Sequence, residues 1–131
     1  FRALKLWLSL KAFGVEALRA AITKGIENAE YVVSLLRKEH CWEIITPAQL
    51  GIITFRYRLD GLDESALNEL NNRIAQEIIY SGYTMLSPTI LGGKHVLRMC
   101  TINPRTSHDD LTGTVGMLKS FGDHTKVKPI S

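Results

Sequence analysis

The groups in this sequence that could do chemistry are few and dispersed. Four histidines (His40, His95, His108 and His124) and two cysteines (Cys41 and Cys100) supply candidate metal ligands and nucleophiles. None of them has the spacing that a zinc site or nucleophilic pair requires, so no metal site and no catalytic residue is expected. His40 and Cys41 are adjacent, and neighbours in regular structure point to different faces, which argues against a shared metal or a Cys–His dyad. Each cysteine sits among apolar or β-forming residues and reads as a small buried hydrophobe. Gly92-Gly93 could cradle an anion, but a tight hairpin turn accounts for it. No phosphate-binding loop and no GxGxxG fingerprint occurs.

Arg98 stands apart. In the run Lys94 to Ile102, Leu97 and Met99 share one face, which leaves Arg98 on the other with Val96 and Cys100. An arginine among apolar neighbours on a strand is an unusual solvated charge, because a partly buried guanidinium needs an anion. The pattern leaves two partners open: an internal Asp or Glu, or the carboxylate of a ligand held by both arms of the fork.

The elements that would hold Arg98 can be read from periodicity. Leu4, Trp7, Leu8 and Leu10 predict a helix from Ala3 to Phe13, stopped by Gly14. Leu18, Ile22, Ile26, Val33 and Leu36 predict a second helix from about Val15 to Glu39, meeting the first at a sharp corner. Trp42 to Thr46 reads as a short strand ended by Pro47. Gly51 to Arg58 alternates as a half-buried antiparallel strand, with Arg56 and Arg58 on its polar side. Asp63 begins a helix that carries Leu67, Leu70, Ile74 and Ile78 to Gly82. Tyr83 to Leu91 and Lys94 to Ile102 form a hairpin about Gly92-Gly93, and Pro88 places its first arm at an edge or an interruption. Ser107, Asp109 and Asp110 open a last helix with Leu111, Val115 and Leu118. Mixed helices and strands without a parallel crossover repeat predict an α+β fold, an antiparallel sheet with helices packed on one face.

Composition narrows the partners. The 131 residues are 45% hydrophobic, enough for one core. The formal charge is only +3 and the basic residues are interspersed with acids, so no phosphate-tracking surface is expected and nucleic acid is excluded as a partner. No apolar run approaches the ~20 residues that span a bilayer, and no signal peptide is evident, so a cytoplasmic protein without membrane contact is expected. The chain opens at Phe1 directly into a helical pattern, without Met or a capping residue. That opening predicts a fragment.

Several stretches resemble the group II pyridoxal-phosphate-dependent decarboxylases, which include aromatic-amino-acid, glutamate, cysteine-sulfinate and diaminobutyrate decarboxylases. They are Phe1-Arg2-Ala3-Leu4-Lys5-Leu6-Trp7 running on through Phe13-Gly14-Val15 to Leu18-Arg19; Leu50 to Arg56; Thr89 to Gly93; and Val96-Leu97-Arg98-Met99 with Ile102-Asn103-Pro104. The resemblance implies the small C-terminal domain of a fold-type-I enzyme, which closes over an active site built mostly by a larger domain. On that reading residues 1–14 join the large domain, residues 15–121 form the small α+β domain, and residues 122–131 are a flexible tail. It also implies that pyridoxal phosphate serves the full-length enzyme through a lysine following a histidine. No His-Lys pair occurs here and Lys94-His95 is reversed, so no bound cofactor and no independent activity are expected of this chain. Arg98 matches the family arginine that faces the substrate carboxylate. The implied partners are the missing large domain, an amino-acid substrate and a second subunit in a homodimer. Two other readings remain beside it: a free-standing α+β module that binds or senses a small ligand, and a structural dimerisation domain.

Overall fold

The computed structural model describes residues 1–125. Its elements are α1 (Arg2–Leu36), β1 (Trp42–Gln49), β2 (Ile52–Tyr57), α2 (Glu64–Tyr80), β3 (Ser87–Leu91), β4 (Lys94–Cys100) and α3 (His108–Thr125). The expected corner is present. Gly14 interrupts α1 with φ 81° and ψ 164°, a conformation that costs little only without a Cβ. Among the described residues, no helix is long and apolar enough to cross a membrane.

The four strands form an antiparallel sheet in the order β1-β2-β4-β3. Ile53, Phe55 and Tyr57 of β2 and Leu97 and Met99 of β4 turn toward the helices. They pack with Val32 and Leu36 of α1, Leu70, Ile74 and Ile78 of α2, and Leu111, Val115 and Leu118 of α3. Trp42 closes the β1 end of this core, its ring set edge-on to Phe55 and Tyr57 at 5.4 and 5.2 Å. The result is the α+β arrangement anticipated, with all three helices on one side of the sheet.

Local chemistry explains the boundaries. Asp63 caps α2 by accepting from the Ala66 amide at 2.8 Å, and Gly82 follows the helix in the left-handed region. At the start of α3, Ser107 and Asp110 bond reciprocally: the Ser107 amide donates to Asp110 and the Asp110 amide to the Ser107 hydroxyl. Those bonds from Ser107 hold the Asp110 carboxyl below its usual pKa. Gly92 and Gly93 both have positive φ, as a primed hairpin turn demands.

Four expectations change. β1 runs on through Pro47 to Gln49 rather than ending at Thr46. It is an edge strand with register shifts after Ile44 and Thr46, so a missing amide costs no ladder bond. β3 is shorter than read, and Pro88 lies in it on the opposite edge. β2 is buried on both faces from Ile53 to Tyr57, not half-buried. Finally, α3 continues to Thr125, so residues 122–125 are helical rather than a flexible tail. Gly122 is buried against Tyr57, where a Cβ would come within 2.4 Å of the ring, so this glycine permits a close approach inside the helix. The remainder of that stretch, residues 126–131, lies outside the described residues.

Candidate functional site

β4 is a central strand, paired on both sides, and it sets Arg98 between Thr54 of β2 and Ser87 of β3. Leu97 and Met99 are buried in the core. Arg98 therefore stands on the helix-free face of the sheet, as alternation predicted. It is exposed, and among the described residues it forms no hydrogen bond and no ion pair with a carboxylate. Its surroundings on that face are small hydroxyls and apolar groups. Thr54 is buried and shares a 2.6 Å hydrogen bond with the Thr46 hydroxyl of β1. Val96 is buried, whereas Ile52 and Cys100 are exposed. Of the two anionic partners left open above, no internal carboxylate among the described residues pairs with Arg98; those of this face, Glu43 and Glu64, bond to Arg56.

The buried arginine is instead Arg56, one strand away on the same face. Its side chain is 5% exposed. Nε donates to Glu43 Oε2 at 2.7 Å, and the remaining arms reach both carboxylate oxygens of Glu64 at the N-terminus of α2. Lys94 donates to the other oxygen of Glu43 at 3.1 Å. Burial by itself would raise the Glu43 carboxyl, but hydrogen bonds from Arg56 and Lys94 overcome it and hold the group below its ordinary pKa. Burial works against the Arg56 charge too, and the bonds to Glu64 and Glu43 outweigh it, raising its pKa. This cluster lines an open cavity of about 320 Å³. It is a satisfied network, with its charges committed to one another.

Sequence reading missed Arg56 because it placed that side chain on a solvated face. The available signal was Glu43, which falls directly opposite once β1 and β2 pair with Trp42 against Tyr57. The histidines and cysteines form no centre: among the described residues no group of three His, Cys, Asp or Glu could hold a metal. His108 stacks flat on Tyr31 at 3.9 Å, and His124 lies beside the Ser120 hydroxyl. Neither cysteine is the fully buried hydrophobe expected. Cys41 is half-buried, and loss of solvent pushes its thiol pKa up. Cys100 is exposed because it shares Arg98's open face.

An aldehyde cofactor such as pyridoxal phosphate needs an amine that can shed its proton in a shielded cleft. No described lysine is buried. Lys94 is paired with Glu43, and Lys119 donates to Glu39 at 2.9 Å, a bond that raises the Lys119 pKa. These residues do not fit the anchor of such a cofactor.

Residues 1–58 match the pyridoxal-dependent decarboxylase conserved domain. An aromatic-L-amino-acid decarboxylase of Bacillus atrophaeus is 45% identical over 128 residues, covering 97% of this chain and 27% of that protein. A phenylacetaldehyde synthase of Petunia hybrida is 34% identical over 115 residues, covering 82% of this chain and 23% of the relative. The crystal structure of Oryza sativa TDC with PLP and tryptamine has a TM-score of 0.84 at 22% identity, over 95% of this chain and 27% of that one. That likeness shows a shared fold. The chain spans roughly a quarter of the length of the curated relatives it matches. From the matched domain at residues 1–58 and the 45% identity along nearly its whole length, the chain belongs to the group II pyridoxal-phosphate-dependent decarboxylase family.

Proposed function

We propose that this chain is the small C-terminal domain of a pyridoxal-phosphate-dependent amino-acid decarboxylase, and that Arg98 receives the substrate carboxylate. The observation that carries this reading is a guanidinium held on a central strand, on the helix-free face, that pairs with no carboxylate among the described residues. Beside it Arg56 is fully engaged by Glu43 and Glu64, and Arg58 lies 3.8 Å from Asp60, which leaves Arg98 as a fork without a carboxylate among the described residues. Amino-acid decarboxylases among the relatives supply the substrate class.

On this reading the domain closes over an active site built mainly elsewhere in a longer, cytoplasmic, homodimeric protein. The cofactor and its lysine belong to that other part. The contribution of Arg98 is orientation: a fixed donor fork restricts how the amino acid lies before the carboxylate leaves. The chain by itself is inactive.

The test has two arms. Expressed with its upstream coding sequence, the protein should decarboxylate an amino acid, and Arg98→Ala should lower kcat/KM by roughly a hundredfold, with Arg98→Lys recovering only part of it. The isolated chain, mixed with pyridoxal phosphate, should leave the cofactor's absorption spectrum unchanged. A spectral shift in the isolated chain, or full activity in Arg98→Ala, overturns the reading. Tight amino-acid binding by the isolated chain, lost in Arg98→Ala, would favour a free-standing ligand-binding module instead.

A further inference from the structure

One junction ties the strand of Arg98 to α1. Just past β4, the buried Thr101 meets both α1 and the turn between β1 and β2. Its hydroxyl shares one proton between the Gly25 carbonyl at 2.8 Å and the Gly51 carbonyl at 3.2 Å, and its amide donates to Gly51 at 2.8 Å. Two glycines remove the side-chain thickness that would otherwise separate these segments. A Cβ on Gly25 would stand 3.3 Å from the Ile102 Cα, and one on Gly51 would stand 2.8 Å from the Ile102 Cγ2.

Thr101 and Arg98 are three residues apart on an extended chain, so their side chains face opposite sides. Thr101 therefore has no access to a ligand on the open face and can act only through the backbone. Its anchor, α1, is also the element whose first half exposes Leu4, Trp7, Leu8 and Phe13.

We propose that Thr101 is a positioning residue for Arg98: its hydrogen bonds to Gly25 and Gly51 fix where β4 stands relative to α1, and so where the guanidinium meets a substrate carboxylate. The inference rests on the carboxylate role of Arg98 given above. If the exposed half of α1 docks on the cofactor-bearing part, Thr101 ties that helix to the strand of Arg98. A loose link leaves the fork in place but misaligned, and misalignment costs affinity for the carboxylate alone.

The amine product of decarboxylation lacks the carboxylate, which makes it the internal control. In the full-length protein, Thr101→Val should weaken amino-acid binding at least about tenfold while binding of the corresponding amine stays within about twofold of the parent. Thr101→Ser, which keeps the hydroxyl, should restore amino-acid binding. Gly25→Ala serves as a second variant should the valine protein fail to fold. Alanine favours the helix, yet it pushes on the Ile102 backbone, and the same selective loss is expected. Equal losses of amino acid and amine would assign Thr101 a purely structural role and overturn the proposal. So would unchanged amino-acid affinity in both variants while Arg98→Ala is impaired. If Arg98→Ala binds the amino acid normally, the premise about Arg98 fails, and that failure is read separately from the Thr101 variants.

Discussion

Asn71 of α2 grips both backbone polar groups of Tyr57 on β2. Its Oδ1 accepts from the Tyr57 amide at 2.7 Å and its Nδ2 donates to the Tyr57 carbonyl at 2.9 Å, while Nδ2 also reaches the Leu67 carbonyl at 2.8 Å. Tyr57 ends β2, so a buried side chain supplies bonds there as a neighbouring strand would. Replacing Asn71 with leucine leaves buried peptide groups unpaired. A loss of about 2–3 kcal/mol is expected, read as a lower midpoint in urea unfolding with an unchanged slope. A loss under about 0.5 kcal/mol would mean that water replaces the amide.

Gly122 gives a prediction from packing alone. Its Cα hydrogens face the Tyr57 ring, and an added methyl would overlap Cε2 at 2.4 Å. That ring is fully buried, and its hydroxyl donates to Asp123 at 2.6 Å, so it has little room to withdraw. Gly122→Ala should therefore destabilise by about 1–3 kcal/mol despite alanine's better helix propensity. Gly116, with nothing within 4 Å of the same construction, is the matched control: Gly116→Ala should stabilise slightly. Thermal unfolding of the two variants distinguishes packing from propensity.

Glu43 links stability to pH. Its carboxyl is held below the ordinary range in the folded protein by Arg56 and Lys94, against the opposing effect of burial. A carboxylate with a lower pKa folded than unfolded stabilises above the unfolded pKa, and that contribution disappears as pH falls through the folded one. The wild-type protein should thus lose stability on acidification below the usual carboxylate range. Glu43→Gln should show a shallower loss, starting from a neutral-pH stability lower by about 1–3 kcal/mol. The loss is smaller than for a fully buried pair because Glu43 is partly exposed and Glu64 still accepts from Arg56. Parallel acid-unfolding curves for the two proteins would contradict the linkage.

These residues also show what the sequence alone could convey. Capping and turn chemistry was legible wherever it is local: Asp63, Gly82, Gly92-Gly93 and the Ser107–Asp110 pair all act within a few residues of themselves. The face of Arg98 was legible because alternation on a strand is a local rule. Arg56 was not, since its burial depends on Glu43 and Glu64, which only tertiary pairing brings to it. Gly122 was misjudged for the same reason. It was placed at the start of a flexible tail, and only the distant Tyr57 ring reveals it as a point of contact. Thr101 carries no local signal at all: both of its acceptors lie 50 or more residues away.

The first half of α1 yields the last prediction. No residue before Gly25 is buried, although Leu4, Leu6, Trp7, Leu8 and Phe13 all lie there, each 45% exposed or more. An amphipathic helix normally hides one stripe, but these side chains point in nearly every direction around the axis. Large apolar groups clustered in this way mark a contact surface. Because Gly14 separates this half from the rest, removing residues 1–14 takes nothing from the core. The isolated chain should self-associate with rising concentration and bind a hydrophobic dye. A version beginning at Val15 should stay monomeric by light scattering, bind several-fold less dye, and unfold within about 0.5 kcal/mol of the longer chain. Equal dye binding by the two would place the sticky surface elsewhere, with the exposed Ile52 and Ile102 the next apolar pair to truncate.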